Sequence, residues 1–407
     1  MAMETPSKNH GWLVAFSGLG INLALGILYT WSMFKPAIEK DFGWKGDQLN
    51  DPYALCCLVF AFAMILAGRC QDRFGPRLTA SIGGLLVVAG MVLVSTTSSY
   101  STWLLGFGVL VGTGIGFGYS SATPAALKWF PPAKTGLIAG IVVAGFGLAP
   151  IYLAPTSQYL LAHFGLKQSM LIFGLAFTVI VIGLAQMLKN PPAGFIVSPP
   201  GSSIVKTVVI SSTSSEMLRS PMFYLLWLVY FIGAGAGLMV ISSVSGMAKK
   251  SMGNSAFIAV AVMAIGNASG RLIAGILSDK IGRRWTLTLV LAIQAALMFI
   301  AIPVTASKET TPAIIVLLAT FIGFNYGANL ALFPSLTKDF WGLKNFGVNY
   351  GILFTAWGVG GFVLSRLQQM LTVASGGSYQ SSFTVAGGFL LGGAALALFI
   401  KPPAVRS

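Results

Sequence analysis

The chain has 407 residues, of which 55% are hydrophobic and only 9% are charged, and its mean hydropathy is +0.81. One water-soluble core cannot bury that much apolar surface, so the composition excludes an ordinary soluble protein and indicates a membrane protein. The net charge of +15 does not indicate a nucleic-acid partner, because the cations lie between apolar runs. Cys56, Cys57 and Cys70 show no disulfide or metal-binding pattern, so we expect no metal and no cofactor.

Long apolar runs recur along nearly the whole sequence. A helix of about 20 residues, rising about 1.5 Å per residue, crosses a hydrocarbon layer of roughly 30 Å. The pattern predicts an all-α membrane protein with twelve transmembrane helices, at residues 11–34, 52–70, 78–97, 102–127, 136–163, 168–188, 221–248, 254–276, 286–304, 312–336, 345–373 and 380–400.

A polar stretch rich in proline and serine divides these helices into two groups of six. Proline and glycine interrupt helices, so the stretch is typical of a linker. We predict an N-terminal six-helix bundle (residues 1–189), a cytoplasmic linker (190–220) and a C-terminal six-helix bundle (221–407). Residues 214–221 predict a short amphipathic helix on the membrane surface at the end of the linker.

The cations are distributed unevenly between the two sides of the predicted bundle. Of 25 Lys and Arg residues, sixteen lie at the termini and in the even-numbered loops, seven lie in the odd-numbered loops, and Arg271 and Arg366 lie within helices. Loops rich in Lys and Arg remain in the cytoplasm. Both termini and the linker are therefore predicted to be cytoplasmic.

Two short loops repeat each other. Residues 68–77 (GRCQDRFGPR) align without a gap on residues 275–284 (GILSDKIGRR), and Tyr119 and Tyr326 share the same offset of 207 residues. The chain is therefore duplicated, which in an apolar chain is typical of a transporter that binds its substrate between two helical bundles.

The charged residues of the repeated loops form a predicted cytoplasmic gate. Each loop places an aspartate and cations just beyond a helix end, where they can bind carboxylates or the terminal groups of a neighbouring helix. The alternative is that these charges only set the membrane orientation; the copied spacing favours the gate. Its predicted members are Asp72, Arg73, Arg77, Asp279, Arg283 and Arg284.

The repeated motif Gly-x-x-x-Asp-Arg-x-Gly-x-Arg resembles the signature of the major facilitator superfamily, and the resemblance covers the whole chain. Four stretches are similar to the branch of oxalate/formate antiporters and monocarboxylate transporters: 216–223 (EMLRSPMF), 26–32 (GILYTWS), 128–131 (KWFP) and 332–335 (LFPS). The resemblance implies the major facilitator fold, a bacterial cytoplasmic (inner) membrane, a functional monomer and a carboxylate substrate.

Arg271 is the predicted carboxylate ligand. An arginine inside a membrane helix costs about 3 kcal/mol on insertion scales, so it normally faces protein or a water-filled cavity. Asn267 precedes it by four residues on the same helix face. The alternative is that Arg271 extends to the membrane interface. The family resemblance favours binding, because an arginine at this place binds the carboxylate in those carriers.

Tyr119 and Tyr326 are candidates to hydrogen-bond the carboxylate or a 2-hydroxyl group, and Tyr29, Phe324, Phe354 and Trp357 are candidate apolar walls. Three positions depart from the family patterns. Trp357 stands where oxalate carriers have a lysine. Asn267 and Leu28 stand where mammalian-type lactate carriers have an aspartate and a lysine. One buried cation with apolar walls matches a small monocarboxylate. Arg366 is interpreted as a structural cation or as one whose side chain extends to the membrane interface.

None of the ten Asp and Glu residues lies within a predicted transmembrane helix, so a buried carboxyl relay is not expected. We predict a non-enzymatic secondary transporter that moves lactate or pyruvate together with a proton through alternating access. The alternatives are an exchanger of formate or oxalate and a sensor or scaffold without transport. A nucleotide-binding loop is absent from the sequence, so ATP-driven transport has no support.

Overall fold

The computed structural model describes residues 9–192, 195, 211–252, 256–307 and 310–401, and these residues form an all-helical bundle. We number its long helices as spans 1 to 12. The first six occupy Gly11–Phe42, Asp51–Phe74, Pro76–Thr96, Tyr100–Leu127 and, for spans 5 and 6 together, Thr135–Ala185. The other six are Pro221–Met252, Ala256–Ile281, Arg283–Ala306, Pro312–Trp341, Phe346–Ala374 and Gln380–Ala397.

Span lengths and composition agree with a membrane protein. Ten helical segments of the described chain are long and apolar enough to cross a bilayer. One of them, Pro132–Ala185, contains two spans, because Gly165 has non-helical dihedral angles (φ 72°, ψ 177°). Gln380–Ala397 completes the twelve spans. Large apolar side chains such as Leu66 and Val373 are 67% and 81% exposed, as expected of surfaces that face lipid.

Span 1 is longer than predicted and is interrupted near its centre. Its helix Gly11–Leu25 is followed by a 3-10 segment, Gly26–Thr30, and then by the helix Trp31–Phe42, eight residues beyond the predicted end at residue 34. The interruption lies where a Cβ atom at Gly26 would overlap Ala149 of span 5. This segment carries Leu28 and Tyr29, two of the predicted site residues.

The two repeated loops have the same backbone conformation. Gly75 and Gly282, at equivalent positions, have φ angles of 86° and 89°. Such angles favour glycine strongly, because a Cβ atom would be strained there. The duplication predicted from the sequence is therefore also present in the backbone.

Two pairs of spans join the halves on the side of the repeated loops, which we call the loop side. Span 2 packs against span 11, where a Cβ atom at Gly68 would overlap the carbonyl group of Gly347. Span 5 packs against span 8, where a Cβ atom at Gly136 would overlap the carbonyl group of Gly275. Because Gly68 and Gly275 are repeat equivalents, these two contacts are related by the duplication.

The described end of the linker contains a helix, Ser214–Arg219, whose first turn is capped by Thr213 and Glu216. Residues 193–194 and 196–210 of the predicted linker lie outside the described residues, and so do the terminal residues 1–8 and 402–407.

Candidate functional site

Arg271 lies at the centre of the bundle, on span 8, and is completely buried. Its Nε donates to Asn267 Oδ1 at 2.9 Å, one helical turn away. One terminal nitrogen donates to the backbone carbonyl oxygen of Val143, on span 5, and the other donates to the Tyr29 hydroxyl at 3.4 Å. Gly147 leaves room for the guanidinium, since a Cβ atom there would lie 3.2 Å from Nε. The cation is therefore held by neutral groups.

Three aromatic side chains from both halves form a hydrogen-bonded chain beside Arg271. The Trp357 Nε1 donates to the Tyr326 hydroxyl at 2.9 Å, and the Tyr326 and Tyr29 hydroxyls lie 2.9 Å apart. Tyr29 comes from span 1, whereas Tyr326 and Trp357 come from spans 10 and 11. The chain connects the two halves and ends on the guanidinium.

A cavity of about 170 Å³ lies on the side of Arg271 opposite the repeated loops. Leu28, Tyr29, Asn267 and Trp357 lie at its inner end, and its lining also includes Trp31, Lys35, Tyr53, Cys57, Pro150, Leu238, Met263 and Arg366. Its described lining contains apolar, polar and cationic side chains but no Asp or Glu. The cavity therefore suits an anion with an apolar part.

A smaller void of about 10 Å³ lies on the other side of Tyr29 and Trp357. Its lining includes Arg271, Tyr119 and Phe354, and only Tyr29 and Trp357 line both spaces among the described residues. This volume holds about one water molecule. Tyr29 and Trp357 therefore separate Arg271 from the larger cavity.

On the loop side, Asp72 binds the first turn of span 11. Its carboxylate accepts hydrogen bonds from the backbone N–H groups of Gly347 at 3.0 Å and Val348 at 2.9 Å. A carboxylate at a helix N-terminus is stabilised by the helix dipole as well as by these bonds. Burial lowers the pKa of Lys128, which lies close enough to Asp72 for the carboxylate to oppose that shift.

Asp279 makes the equivalent contact with the first turn of span 5. Its carboxylate accepts hydrogen bonds from Gly136 N and Leu137 N, both at 2.9 Å. Here the aspartate is also paired with Arg283 at 2.7 Å, and Arg283 pairs with Asp339 at 2.9 Å. Both aspartates of the predicted cytoplasmic gate thus cross between the halves in the same way.

The remaining arginines of the predicted gate lie elsewhere. Arg77 donates to the Leu188 carbonyl oxygen at 3.0 Å, within the first six spans. Arg73 is exposed and lies over the ring of Phe74, and Arg284 lies over the ring of Trp285. Among the contacts of the described residues, those of these three arginines stay within one half of the protein.

Arg366 lies at the mouth of the larger cavity. It pairs with Asp47 at 3.3 Å and Asp51 at 3.2 Å, at the start of span 2, and its side chain is 41% exposed. Asp51 also accepts a hydrogen bond from the Tyr100 hydroxyl at 2.6 Å. Arg366 therefore makes a solvent-exposed contact between the halves on the side opposite the repeated loops.

Comparison with known proteins identifies the family. A model of the Major Facilitator Superfamily matches residues 13–365, with a second match at 255–407. The chain belongs to the Major Facilitator Superfamily. It is 32% identical over 367 residues to an uncharacterized MFS-type transporter, YhjX, of Escherichia coli (strain K12), covering 88% of this chain and 87% of the relative. The chain is therefore an integral membrane transporter.

Two relatives with named substrates have similar coverage. The oxalate:formate antiporter of Oxalobacter formigenes is 29% identical over 343 residues, covering 81% of this chain and 77% of the relative. Monocarboxylate transporter 13 of Bos taurus is 24% identical over 396 residues, covering 96% and 89%. The predicted branch of the superfamily is confirmed by these similarities.

The fold agrees with a solved member of the superfamily. The transporter FucP in its outward conformation superposes with a TM-score of 0.71 at 16% identity, covering 96% of this chain and 99% of that chain. At this identity the likeness concerns the fold, so the predicted major facilitator fold is confirmed.

In this superfamily member, the structure brings most of the predicted site residues together. Arg271, Asn267, Tyr29, Tyr326 and Trp357 form one hydrogen-bonded group. Leu28 lines the larger cavity, and Tyr119 and Phe354 line the small void. Phe324, in contrast, lines neither space; its backbone packs against Gly270 of span 8.

Several residues at these positions were not singled out from the sequence. The groups that bind Asp72 and Asp279 are backbone N–H groups, which carry no side-chain signature. Val143 likewise contributes its backbone carbonyl to Arg271. Tyr230 and Tyr350 are buried tyrosines in apolar spans, where packing is the ordinary interpretation. Lys35 lies seven residues, or about two helical turns, after Leu28. This spacing could have indicated from the sequence that Lys35 lines the cavity.

Proposed function

We propose that the protein is a proton-coupled symporter of small monocarboxylates, such as lactate or pyruvate, in a bacterial cytoplasmic membrane. The observation that carries the proposal is the fully buried Arg271, which is held only by neutral groups and is separated from an anion-compatible cavity by Tyr29 and Trp357. A guanidinium is planar and presents parallel donors that match the two oxygens of a carboxylate.

Binding would exchange one set of acceptors for another. The substrate carboxylate takes the place of the Tyr29 hydroxyl, whose 3.4 Å contact is the longest that Arg271 makes. Asn267 then offers its amide to a second polar group, and Leu28 and Trp357 surround the apolar tail. Because the retained ligands are neutral, the site keeps one positive charge for one carboxylate.

The charge balance supports a single negative charge on the substrate. Among the described residues that line the cavity and the void, Arg271 is the only charged group next to the void, while Lys35 and Arg366 lie in the larger cavity. The same linings contain no carboxyl side chain that could carry the proton. Symport then amounts to electroneutral movement of an anion with its proton.

The two ends of the proposed substrate path, one open and one closed, suit transport by alternating access. We propose that the loop side faces the cytoplasm, as the distribution of cations predicts. The cavity then opens outward, and Asp72 and Asp279 keep the cytoplasmic side closed by binding spans 11 and 5. The two six-helix bundles, 1–189 and 221–407, move against each other about Arg271 in a functional monomer.

The similarity to an oxalate:formate antiporter favours carboxylate exchange as a second candidate. A dianion such as oxalate would need a second cation beside Arg271. Trp357 occupies the position where the oxalate carriers have a lysine, and its indole is bound to Tyr326. Exchange of monovalent formate remains compatible with the site, so coupling has to be measured.

Transport in proteoliposomes tests the function. With the purified protein, a pH gradient that is acidic outside the vesicles should drive accumulation of labelled lactate inside. Lactate efflux should make the compartment that it leaves more alkaline. An Arg271→Gln protein, reconstituted in equal amounts, is the matched control. Uptake that depends on an opposing anion and ignores the pH gradient would contradict symport and support exchange.

A further inference from the structure

Three buried tyrosine hydroxyls lie near one another beside the candidate site. They belong to Tyr119 of span 4, Tyr230 of span 7 and Tyr350 of span 11, and each residue is at most 2% exposed. The three groups interact electrostatically with one another. Tyr350 lies close enough to Tyr119 and Tyr230 for weak hydrogen-bonding interactions, but none of the three hydroxyls makes a hydrogen bond of good geometry with a described group. We call these residues the tyrosine triad.

The triad lies at the interface of the two halves, because one member comes from the first six spans and two come from the last six. The ring of Phe354 is adjacent to all three, with centroid distances of 5.5 Å to Tyr119, 6.1 Å to Tyr230 and 5.7 Å to Tyr350. Phe354 and Tyr119 also line the small void beside Arg271. The triad is therefore continuous with the candidate site.

Along the membrane normal, Tyr350 lies nearer the loop side than Arg271 does. Tyr350 is four residues, or about 6 Å, from the start of span 11, whereas Arg271 is ten residues, or about 15 Å, from the end of span 8. Tyr350 also follows Gly347 and Val348, which hold Asp72, by less than one helical turn. A movement that releases Asp72 therefore moves Tyr350 as well.

Poorly paired buried hydroxyls are costly. A buried hydroxyl without a good partner costs about 1–3 kcal/mol of desolvation, so three that have only weak contacts with one another require an explanation. Phenylalanine has the same ring without the hydroxyl, so it would pack equally well without the cost of burying a polar group. Three neighbouring O–H donors at a domain interface, on the path from a buried guanidinium, fit the oxygens of a carboxylate.

We propose that the tyrosine triad is a second binding position for the carboxylate of the transported substrate, on the cytoplasmic side of Arg271. The inference rests on the proposed function, since it requires a carboxylate that leaves Arg271 towards the cytoplasm. Phenol groups are neutral, so they hold the anion less tightly than the guanidinium and permit its release. The present void of about 10 Å³ is too small for the substrate, so the position forms when span 11 moves away from Asp72.

The test compares lactate binding in two backgrounds. The first is the intact protein, and the second is Asp72→Asn with Asp279→Asn, which weakens the closed cytoplasmic side. Cys57, which lines the larger cavity, reports the state, because its labelling by a maleimide falls as that cavity closes. Tyr230→Phe with Tyr350→Phe is then introduced into each background, and the Kd of lactate is measured by calorimetry in detergent.

We expect the two phenylalanines to raise the lactate Kd about tenfold in the Asn background, since a tenfold change matches the loss of one to two hydrogen bonds. In the intact background the Kd should change less than twofold. The Tm should change little, because the variants remove hydroxyls that make no hydrogen bond of good geometry. Tyr224→Phe, at an exposed position of the same span, is the matched control.

Other outcomes overturn the inference. Equal changes of the lactate Kd in both backgrounds would show that the Tyr230 and Tyr350 hydroxyls belong to the Arg271 site. No change of the Kd in either background would show that these hydroxyls do not bind substrate. Unchanged binding with loss of pH-driven accumulation would make the triad a water-filled proton path. Failure of the proposed function is distinguishable, because the protein with intact tyrosines would then show no Arg271-dependent lactate binding in either background.

Discussion

The two halves are joined by different chemistry at the two ends of the proposed substrate path. On the loop side, two partly buried carboxylates bind backbone N–H groups, and glycines bring the helices into direct contact. At the opposite end, the described contacts between the halves include the pairs of Arg366 with Asp47 and Asp51, which are partly exposed. Exposed ion pairs typically contribute under 1 kcal/mol, whereas carboxylates at helix N-termini contribute up to about 2 kcal/mol. The difference favours a protein that opens first at the side opposite the repeated loops.

Arg271, between the two ends, should give the largest effect. Replacement by Gln removes the only cation beside the void and should raise the lactate Kd at least a hundredfold; Lys should also bind weakly, since a point charge does not reproduce the planar fork. Calorimetry on correctly folded protein measures both. Normal transport by the Gln variant would show that substrate binds elsewhere.

Replacing the aspartates of the loop-side contacts should give the second-largest effect on transport. Asp279→Asn should lower the maximal transport rate about tenfold and Asp72→Asn less, because Asp279 also pairs with Arg283. The lactate Kd should stay within a few-fold in both, as expected when a conformational contact is altered. Initial rates in proteoliposomes decide this. If either variant loses equilibrium binding while remaining folded, the aspartates belong to the binding site.

Trp357→Lys tests the charge of the substrate. A lysine there adds a second cation next to Arg271, so the ratio of oxalate to lactate binding should rise several-fold. The gain is limited, because the smaller side chain also gives up the hydrogen bond to Tyr326. Competition of unlabelled oxalate against labelled lactate measures the ratio. Trp357→Met, which opens the same space without a charge, is the control, and an equal shift in both variants would refute the charge argument.

Arg366→Gln should have the smallest effect. Its pairs with Asp47 and Asp51 are exposed and screened by salt, so transport at physiological ionic strength should change less than twofold. A larger effect, dependent on salt, would show that the two ends are more alike than their burial suggests. Rates measured at low and high salt provide the comparison.

The sequence predicted the parts of this structure that depend on periodicity and duplication. The twelve helices follow from apolar run length, and the turns at Gly75 and Gly282 follow from the copied motif. Arg271 and Asn267 were linked by their spacing of four residues, and their hydrogen bond is present. The contacts between the two halves could not be predicted in the same way, because they depend on how the helices are placed in the tertiary structure.

The loop side illustrates that limit. Asp72 and Asp279 were predicted gate residues, but their ligands are main-chain groups at helix starts more than 100 residues away. Arginine was expected to share that role, yet Arg77 binds a carbonyl within its own half, at Leu188. Residue type indicates that a charge needs a partner. It does not indicate which helix end will lie beside it.

The 3-10 segment Gly26–Thr30 has a kinetic consequence. Its i→i+3 hydrogen bonds have poorer geometry than those of the flanking helices, so its amides should exchange with deuterium faster than those of Gly11–Leu25. Tyr29 is therefore carried by a short element that can rotate while the rest of span 1 remains packed. If substrate displaces the Tyr29 hydroxyl, we expect this side chain to move at the rate of a local fluctuation. The slow step of the transport cycle would then be the separation of the two halves.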